Sequence, residues 1–445
     1  MKKLLKTLSN SLALKKLHKW YLIIALTLTT LFSLFMPIFN EPDGQYHLAV
    51  SGTIVNSVVD TSRYGIDKIA SGMREQEDSY KNGTHFEKYY LNKAVFIESK
   101  KLPRNIYFSY YYYFFWGHLI PSFGLFLGRF IYPSLGVMVT VARLVSSVSY
   151  VFILTYVIKK VKKGKLLFTT IYLSPVVLNS FASLSYDAAG YALVALFMMQ
   201  IINIIVNKKV ESRFLLFLSV VLLFIGAKQN YWIISLLLPV ALAETQTLFG
   251  KKLRFLIGEL IDFVKSHVKI SLGVLGVVAV GLMIMLTSKY GGLLSVARRF
   301  FMTTVFNYGN TFGINTWLAE PYPSYNNMPS WTTATWVVLV VLVLLTQDKF
   351  VKNKLIPLIS LFLFITGIVG VYFIQLGYGS ATTSYIEGVQ GRYFTPTILL
   401  LLLVVSSFGR SLELKRKNLL SLSVFVIAIV SNLILLFNTV IDLMR

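Results

Sequence analysis

Long apolar runs, roughly 17 to 25 residues each, recur along this chain from Trp20 almost to its last residue. One such run is what a helix needs to cross about 30 Å of hydrocarbon. Inside lipid every backbone donor and acceptor must be paired within its own segment, so a chain of this kind folds as a helical bundle. Hydrophobic residues make up 55% of the 445, and the mean hydropathy is +0.65. The pattern is that of an all-α polytopic membrane protein. The run from Trp20 to Phe39 follows a basic N-terminus, as in a signal peptide, but it is too long and lacks a small-residue cleavage site. It reads as a retained first span. The absence of cysteine excludes disulfides, thiolate catalysis and Cys-ligated metal.

A net charge of +24 would suit nucleic acid, yet the distribution of the charge points elsewhere. Segments 1–19, 159–165, 207–213, 250–269, 348–354 and 409–417 hold 26 of the 43 Lys and Arg residues against five acids. Basic residues concentrate in the cytoplasmic connections of membrane proteins, so the excess is a topology signal and no nucleic-acid partner is implied. With the N-terminus cytoplasmic, the spans fall near 20–39, 131–158, 166–183, 186–206, 213–226, 231–248, 268–288, 331–347, 355–376, 392–408 and 419–441. That makes about eleven, in one integral-membrane domain over 1–445, with the C-terminus outside. The first extracytoplasmic loop, 40–130, is polar and charged from Asp60 to Lys101 and has helical spacing over Leu48 to Val59. Residues 107–116 are aromatic, and charge alternation makes 106–128 an interfacial or re-entrant helix rather than a span. The loop 289–330, with Arg298 and Arg299 near its start, has the composition of a mobile cover over a site, and equally of an inert connection.

Polar and ionisable residues at membrane depth or at helix ends are costly, and each is a functional candidate. The stretch Met36-Pro37-Ile38-Phe39-Asn40-Glu41-Pro42-Asp43-Gly44-Gln45-Tyr46-His47 sets two carboxylates and an imidazole where the first span ends. Asp43 and Glu41 are the candidate catalytic acids, able to accept a proton from an attacking hydroxyl. Asp43 also suits a helix N-cap. His47, four residues on, is suited to orienting Asp43, binding substrate or making a structural hydrogen bond. Lys228, between two outward helix ends, suits a phosphate or a snorkelling role at the interface. Arg392, followed by Tyr393, starts an apolar helix from the outer side, where the charge rule gives a cation no advantage, and a phosphate group explains its placement. Asp187 and Arg143 suit either mutual pairing or the flank of a site. A divalent metal on Asp43, Glu41 or Asp187 is compatible with the residues.

Together, Pro42-Asp43-Gly44-Gln45-Tyr46-His47, Val141-Ala142-Arg143-Leu144, Ser185-Tyr186-Asp187-Ala188, Lys228 and Gln390-Gly391-Arg392-Tyr393-Phe394 resemble a bacterial membrane-protein family. That family carries a Pro-Asp-Glu-x-x-His motif after its first span and belongs to the GT-C glycosyltransferase superfamily. The resemblance runs over nearly the whole chain. It implies a GT-C-like fold with juxtamembrane helices in the first extracytoplasmic loop and a catalytic acid at Asp43. It also implies a polyprenyl-phosphate-linked sugar donor, inversion at the anomeric carbon, and a cell-envelope glycan acceptor, with the active site on the outer face of the plasma membrane. His47, Asp187, Lys228, Arg392 and Tyr393 would bind substrate. The motif's Glu is Gly44 here, which breaks the usual acidic pair. Two other classes compete: a transporter or flippase for a lipid-linked sugar, and a polysaccharide polymerase using Arg298 and Arg299.

Overall fold

The structure is a computed structural model that describes residues 16–64, 73–98, 113–306, 313–377, 384–409, 411–414 and 417–445. Among the described residues its regular structure is all helix, and the one β contact is an isolated antiparallel bridge between Val59 and Phe96. At its centre lies Asp187–Asn207, apolar on every side and buried along almost its whole length, as a helix must be when it has no polar face. Leu135–Lys160 packs against it, and Leu17–Phe35 packs against Leu135–Lys160, with Ser33 and Ser147 joined by a 3.1 Å hydroxyl contact.

Among the described residues seven helices are long and apolar enough to cross a membrane, or eight if Gln229–Ala243 and Leu248–Ser266 are counted as one bent span. The eleven full-length spans expected from hydropathy are therefore not all continuous helices. The stretch expected at 166–183 is two helices, Lys165–Tyr172 and Pro175–Phe181, because Pro175 has no amide hydrogen to continue the ladder. The side chain of Asn432, from the last helix, donates to the Leu173 carbonyl at this break (3.0 Å), supplying a partner that lipid could not. The stretch near 231–248 is likewise divided, into Gln229–Trp232, Ile233–Leu236 and Leu237–Ala243. Arg213–Gly226 and Ser330–Leu345 are short.

The stretch 40–130, expected from sequence to be an extracytoplasmic loop, carries helices, Gly44–Ile54, Met73–Lys81 and Leu119–Ile131 among them. The expected interfacial helix is not merely laid on the surface. Leu119–Ile131 folds back along Leu135–Lys160, so close that a Cβ on Gly124 would come within 2.6 Å of the Ala142 backbone. Of the aromatic run, residues 107–112 lie outside the described residues. The 289–330 loop contains a helix, Gly292–Thr304, anchored by Phe300 against Tyr372 and Phe373.

Three of the basic segments meet on one side of the molecule. Lys162 pairs with Glu211 at 3.4 Å, Lys163 with Asp348 at 3.9 Å, and Lys208 with Glu244, which also accepts from Asn353. These contacts join 159–165, 207–213 and 348–354 on one face.

That end is held by a clasp. Arg143 donates to the carbonyls of Met36 and Pro37, each at 2.8 Å, and its Nη2 lies 3.2 Å from the Glu41 carboxylate, both side chains being buried. Glu41 in turn accepts from the Leu184 amide. Between Arg143 and Gln76, which bonds the Ile38 backbone, the chain from Met36 to Asp43 turns through two left-handed residues, Phe39 (φ 62°) and Asp43 (φ 58°). Such conformations cost of order 1 kcal/mol or more each and persist only where the surroundings impose them.

Replacing Arg143 with Met strands the Glu41 charge in a dry site, so stability should fall by about 3–5 kcal/mol. Glu41→Gln should cost less, because Arg143 keeps its two carbonyls, and the double substitution Glu41→Leu/Arg143→Met should recover much of the loss. Melting of the detergent-purified proteins checks all three.

Candidate active site

Asp43 is the exposed residue in an otherwise buried stretch. Met36 through Pro42 are buried, Gly44 and Gln45 are buried, and the Asp43 side chain stands out between them. It occupies the position before helix Gly44–Ile54 but makes no capping hydrogen bond, because its left-handed backbone turns the side chain away from the helix amides. The N-cap role open to it from sequence is thus not taken up. Among the described residues its carboxylate has no ion pair, yet it lies within electrostatic reach of Lys228, Arg392, Tyr393 and Tyr322.

Glu41 does not share that position. Read from sequence as a second catalytic acid, it is buried and engaged by Arg143 and the Leu184 amide, which makes it part of the clasp beneath Asp43. Gly44, where the resembled motif has Glu, is equally constrained, since a Cβ there would come within 2.9 Å of the Phe39 backbone. One free carboxylate is what this turn presents.

Across from it, three of the other sequence candidates come together. Asp187, at the first turn of its helix, takes Lys228 Nζ on one oxygen at 2.5 Å and Arg392 Nε on the other at 2.9 Å, all three side chains being buried. Two cations against one acid leave the cluster positive. Arg392 Nη1 is buried and has no hydrogen-bond partner among the described residues, so the guanidinium keeps a donor in hand. Lys228 Nζ lies 3.8 Å from the centre of the Tyr393 ring and 4.8 Å from that of Tyr186, faces that stabilise a cation with little water around it. Tyr191 donates to the Arg392 carbonyl at 2.9 Å and so fixes the start of the Gly391–Phe408 span. A buried cluster with spare positive charge and an unspent donor is built to receive an anion. Arg143 does not make the pairing with Asp187 that the sequence left open; its carboxylate is Glu41.

His47 meets neither Asp187 nor the Asp43 carboxylate in a hydrogen bond. Its Nδ1 lies 2.9 Å from Nε2 of His118, and both rings stand edge-on to Tyr186 at 5.1 and 5.4 Å. Tyr186 thereby links the first loop to Lys228, and Gly117 leaves it room: a Cβ on that residue would meet the Tyr186 Cβ at 2.7 Å. Neither His118 nor Tyr186 stood out in the sequence. The available signal was a lone imidazole at the end of an aromatic run, and a ring beside the candidate Asp187. Arg299 is buried and donates to the Tyr385 carbonyl, while Arg298 is exposed. Among the described residues no group of three His, Asp or Glu side chains is arranged to hold a metal, and Glu41 and Asp187 are each committed to cations.

Residues 26–403 match a family model described as "Predicted membrane protein (DUF2142)". No curated protein and no solved structure matches the chain.

Removing any one member of the Asp187 cluster leaves a buried charge unbalanced, so the members should be strongly coupled. A double-mutant cycle on Asp187→Asn and Lys228→Met should give a coupling of up to about 3 kcal/mol in thermal or denaturant stability. The histidine pair should show in the pH profile. Burial, with His118 beside it, holds the His47 imidazole well below its ordinary 6.5. The unfolded chain then takes up the proton first, and stability falls as the pH drops below that value. His47→Gln/His118→Gln should flatten the acid limb of a melting-temperature profile.

Proposed function

We propose that this chain, which belongs to the predicted membrane protein family DUF2142, is a glycosyltransferase of the GT-C kind. It moves a sugar from a polyprenyl phosphate to an acceptor on the outer face of the plasma membrane, a cell-envelope polysaccharide in this reading. The observation that carries the proposal is the exposed Asp43 carboxylate, free of ion pairs among the described residues and within electrostatic reach of the buried Lys228–Asp187–Arg392 cluster, whose cations outnumber its acid.

In the reaction the acceptor hydroxyl attacks the anomeric carbon of the lipid-linked sugar. A new carbon–oxygen bond forms as the bond to the lipid phosphate breaks, and the hydroxyl proton passes to Asp43. The electron pair leaves on the polyprenyl phosphate, where Lys228 and the unspent donor of Arg392 stabilise it. A phosphate leaves without being protonated, so one carboxylate suffices, in keeping with Glu41 being held in the clasp and with the absence of an acid at residue 44. Asp187 keeps the two cations close together. The His47–His118 pair, through Tyr186, sets the wall on which Lys228 rests. A polymerase using Arg298 and Arg299 is less well supported, because Arg299 is buried against the Tyr385 carbonyl.

Asp43→Asn should lower transfer by about 10²- to 10⁴-fold, the span of a lost general base, with protein level and melting temperature unchanged. Composition and linkage analysis of the envelope polysaccharide reads this in a deletion strain complemented with either form. Loss of one side-chain sugar with the backbone intact is the expected outcome. Full rescue by Asp43→Asn, or loss of the polymer itself, would refute the transferase assignment.

A further inference from the structure

Residues 250–269 read from sequence as a basic connection on the cytoplasmic side, but the chain there forms a 19-residue helix, Leu248–Ser266. Its start is fixed twice. Thr247 accepts from the Gly250 amide at 3.0 Å, and Arg254 donates to the Ala243 carbonyl at 2.7 and 3.0 Å, holding the end of the preceding segment. The two segments meet at 109°, so if Gln229–Ala243 runs across the membrane, Leu248–Ser266 runs nearly along its plane. At the far end a single residue, His267, separates it from the candidate span Val268–Thr287. Both ends are thus tied to segments of membrane depth.

The faces of the helix differ. At 100° per residue Phe249, Leu253, Leu256, Leu260 and Val264 fall on one side, and Lys251, Arg254, Asp262 and Lys265 on the other. The apolar side is uncovered: Phe249, Leu256 and Leu260 are 62%, 53% and 63% exposed. Four basic and two acidic residues lie in the helix, and Lys269 follows. An amphipathic helix with low net hydrophobicity and a basic polar face is the form that lies in a headgroup layer, with its apolar face against the acyl chains.

The geometry points to Leu248–Ser266 as an in-plane membrane-surface helix that binds anionic lipid headgroups through Lys251, Lys252 and Lys265. The bilayer is the occupant of its apolar face, and charge complementarity selects acidic lipid on the side where the other basic segments meet. The helix is about 28 Å long at 1.5 Å per residue and acts as a spar. It carries Val268–Thr287 outward, and that span accordingly has its main contacts with its own neighbours in sequence.

The chain has no cysteine, which makes the test clean. Single-cysteine variants Leu256→Cys, Leu260→Cys, Lys251→Cys and Lys265→Cys of the full-length protein are labelled with a polarity-sensitive fluorophore. They are reconstituted in phosphatidylcholine vesicles with or without phosphatidylglycerol. Quenching by lipid-borne nitroxide should be several-fold stronger at 256 and 260 than at 251 and 265, with iodide showing the reverse order. Phosphatidylglycerol should deepen the apolar labels, and Lys251→Glu/Lys252→Glu/Lys265→Glu should abolish that response while the melting temperature holds. Equal iodide access at all four positions would overturn the proposal, as would shielding of 256 and 260 from both quenchers, which would mean that protein covers the face. No response to phosphatidylglycerol would overturn the headgroup assignment.

Discussion

The site depends on one buried carboxylate. Asp187 sits at the start of the central helix and holds Lys228 and Arg392, which come from two other parts of the chain, one of them 205 residues away. A lone charge in such a place would cost several kcal/mol, and each partner repays that cost only if the others are present and correctly spaced. The cluster therefore acts as a keystone for this end of the bundle, fixing where three membrane segments begin or end. Tyr191, Tyr186 and Tyr393 close around it with rings and one hydroxyl, so that most of its polar groups are met by protein in place of water, while Arg392 Nη1 keeps its donor unspent.

A second buried ion pair does a different task nearby. Arg143 and Glu41 neutralise one another and hold the backbone of Met36 and Pro37, which forces the following residues through left-handed conformations. The outcome is that Asp43 is pushed outward from a turn whose other members are buried. Two acids separated by one proline thus have opposite fates. One is consumed in holding the turn, and the other is left unspent by it.

Much of this was legible from sequence. Apolar run length and the placement of Lys and Arg predicted a helical membrane protein with Asp43, Asp187, Lys228 and Arg392 at one face, and the structure brings those four together. What periodicity could not supply was pairing. Nothing in the spacing of Glu41, Asp43, Arg143 and Asp187 says which carboxylate meets which guanidinium, because that is decided by packing between segments more than a hundred residues apart. The same limit hid His118, whose partner lies 71 residues earlier. Continuity of spans was misjudged where a proline or a string of short turns breaks an apolar run, since hydropathy counts side chains and not backbone hydrogen bonds. The helix Leu248–Ser266 was passed over because its charge was read as the mark of a connection, although its apolar residues follow a helical period.

The separation within the Asp187 cluster also has a meaning in time. At synthesis rates of about 5–20 residues per second, the 205 residues between Asp187 and Arg392 correspond to something of the order of ten to forty seconds. For that interval the central helix has been made and Arg392, the second of the two cations held by its Asp187, has not. A nascent chain in this condition has Asp187 with Lys228 as its one cation until about the last eighth of the polypeptide is made. The Asp187 end of the central helix accordingly cannot be completed until the Gly391–Phe408 span has been made, and a shorter chain is marked by an acid with one of its two cations.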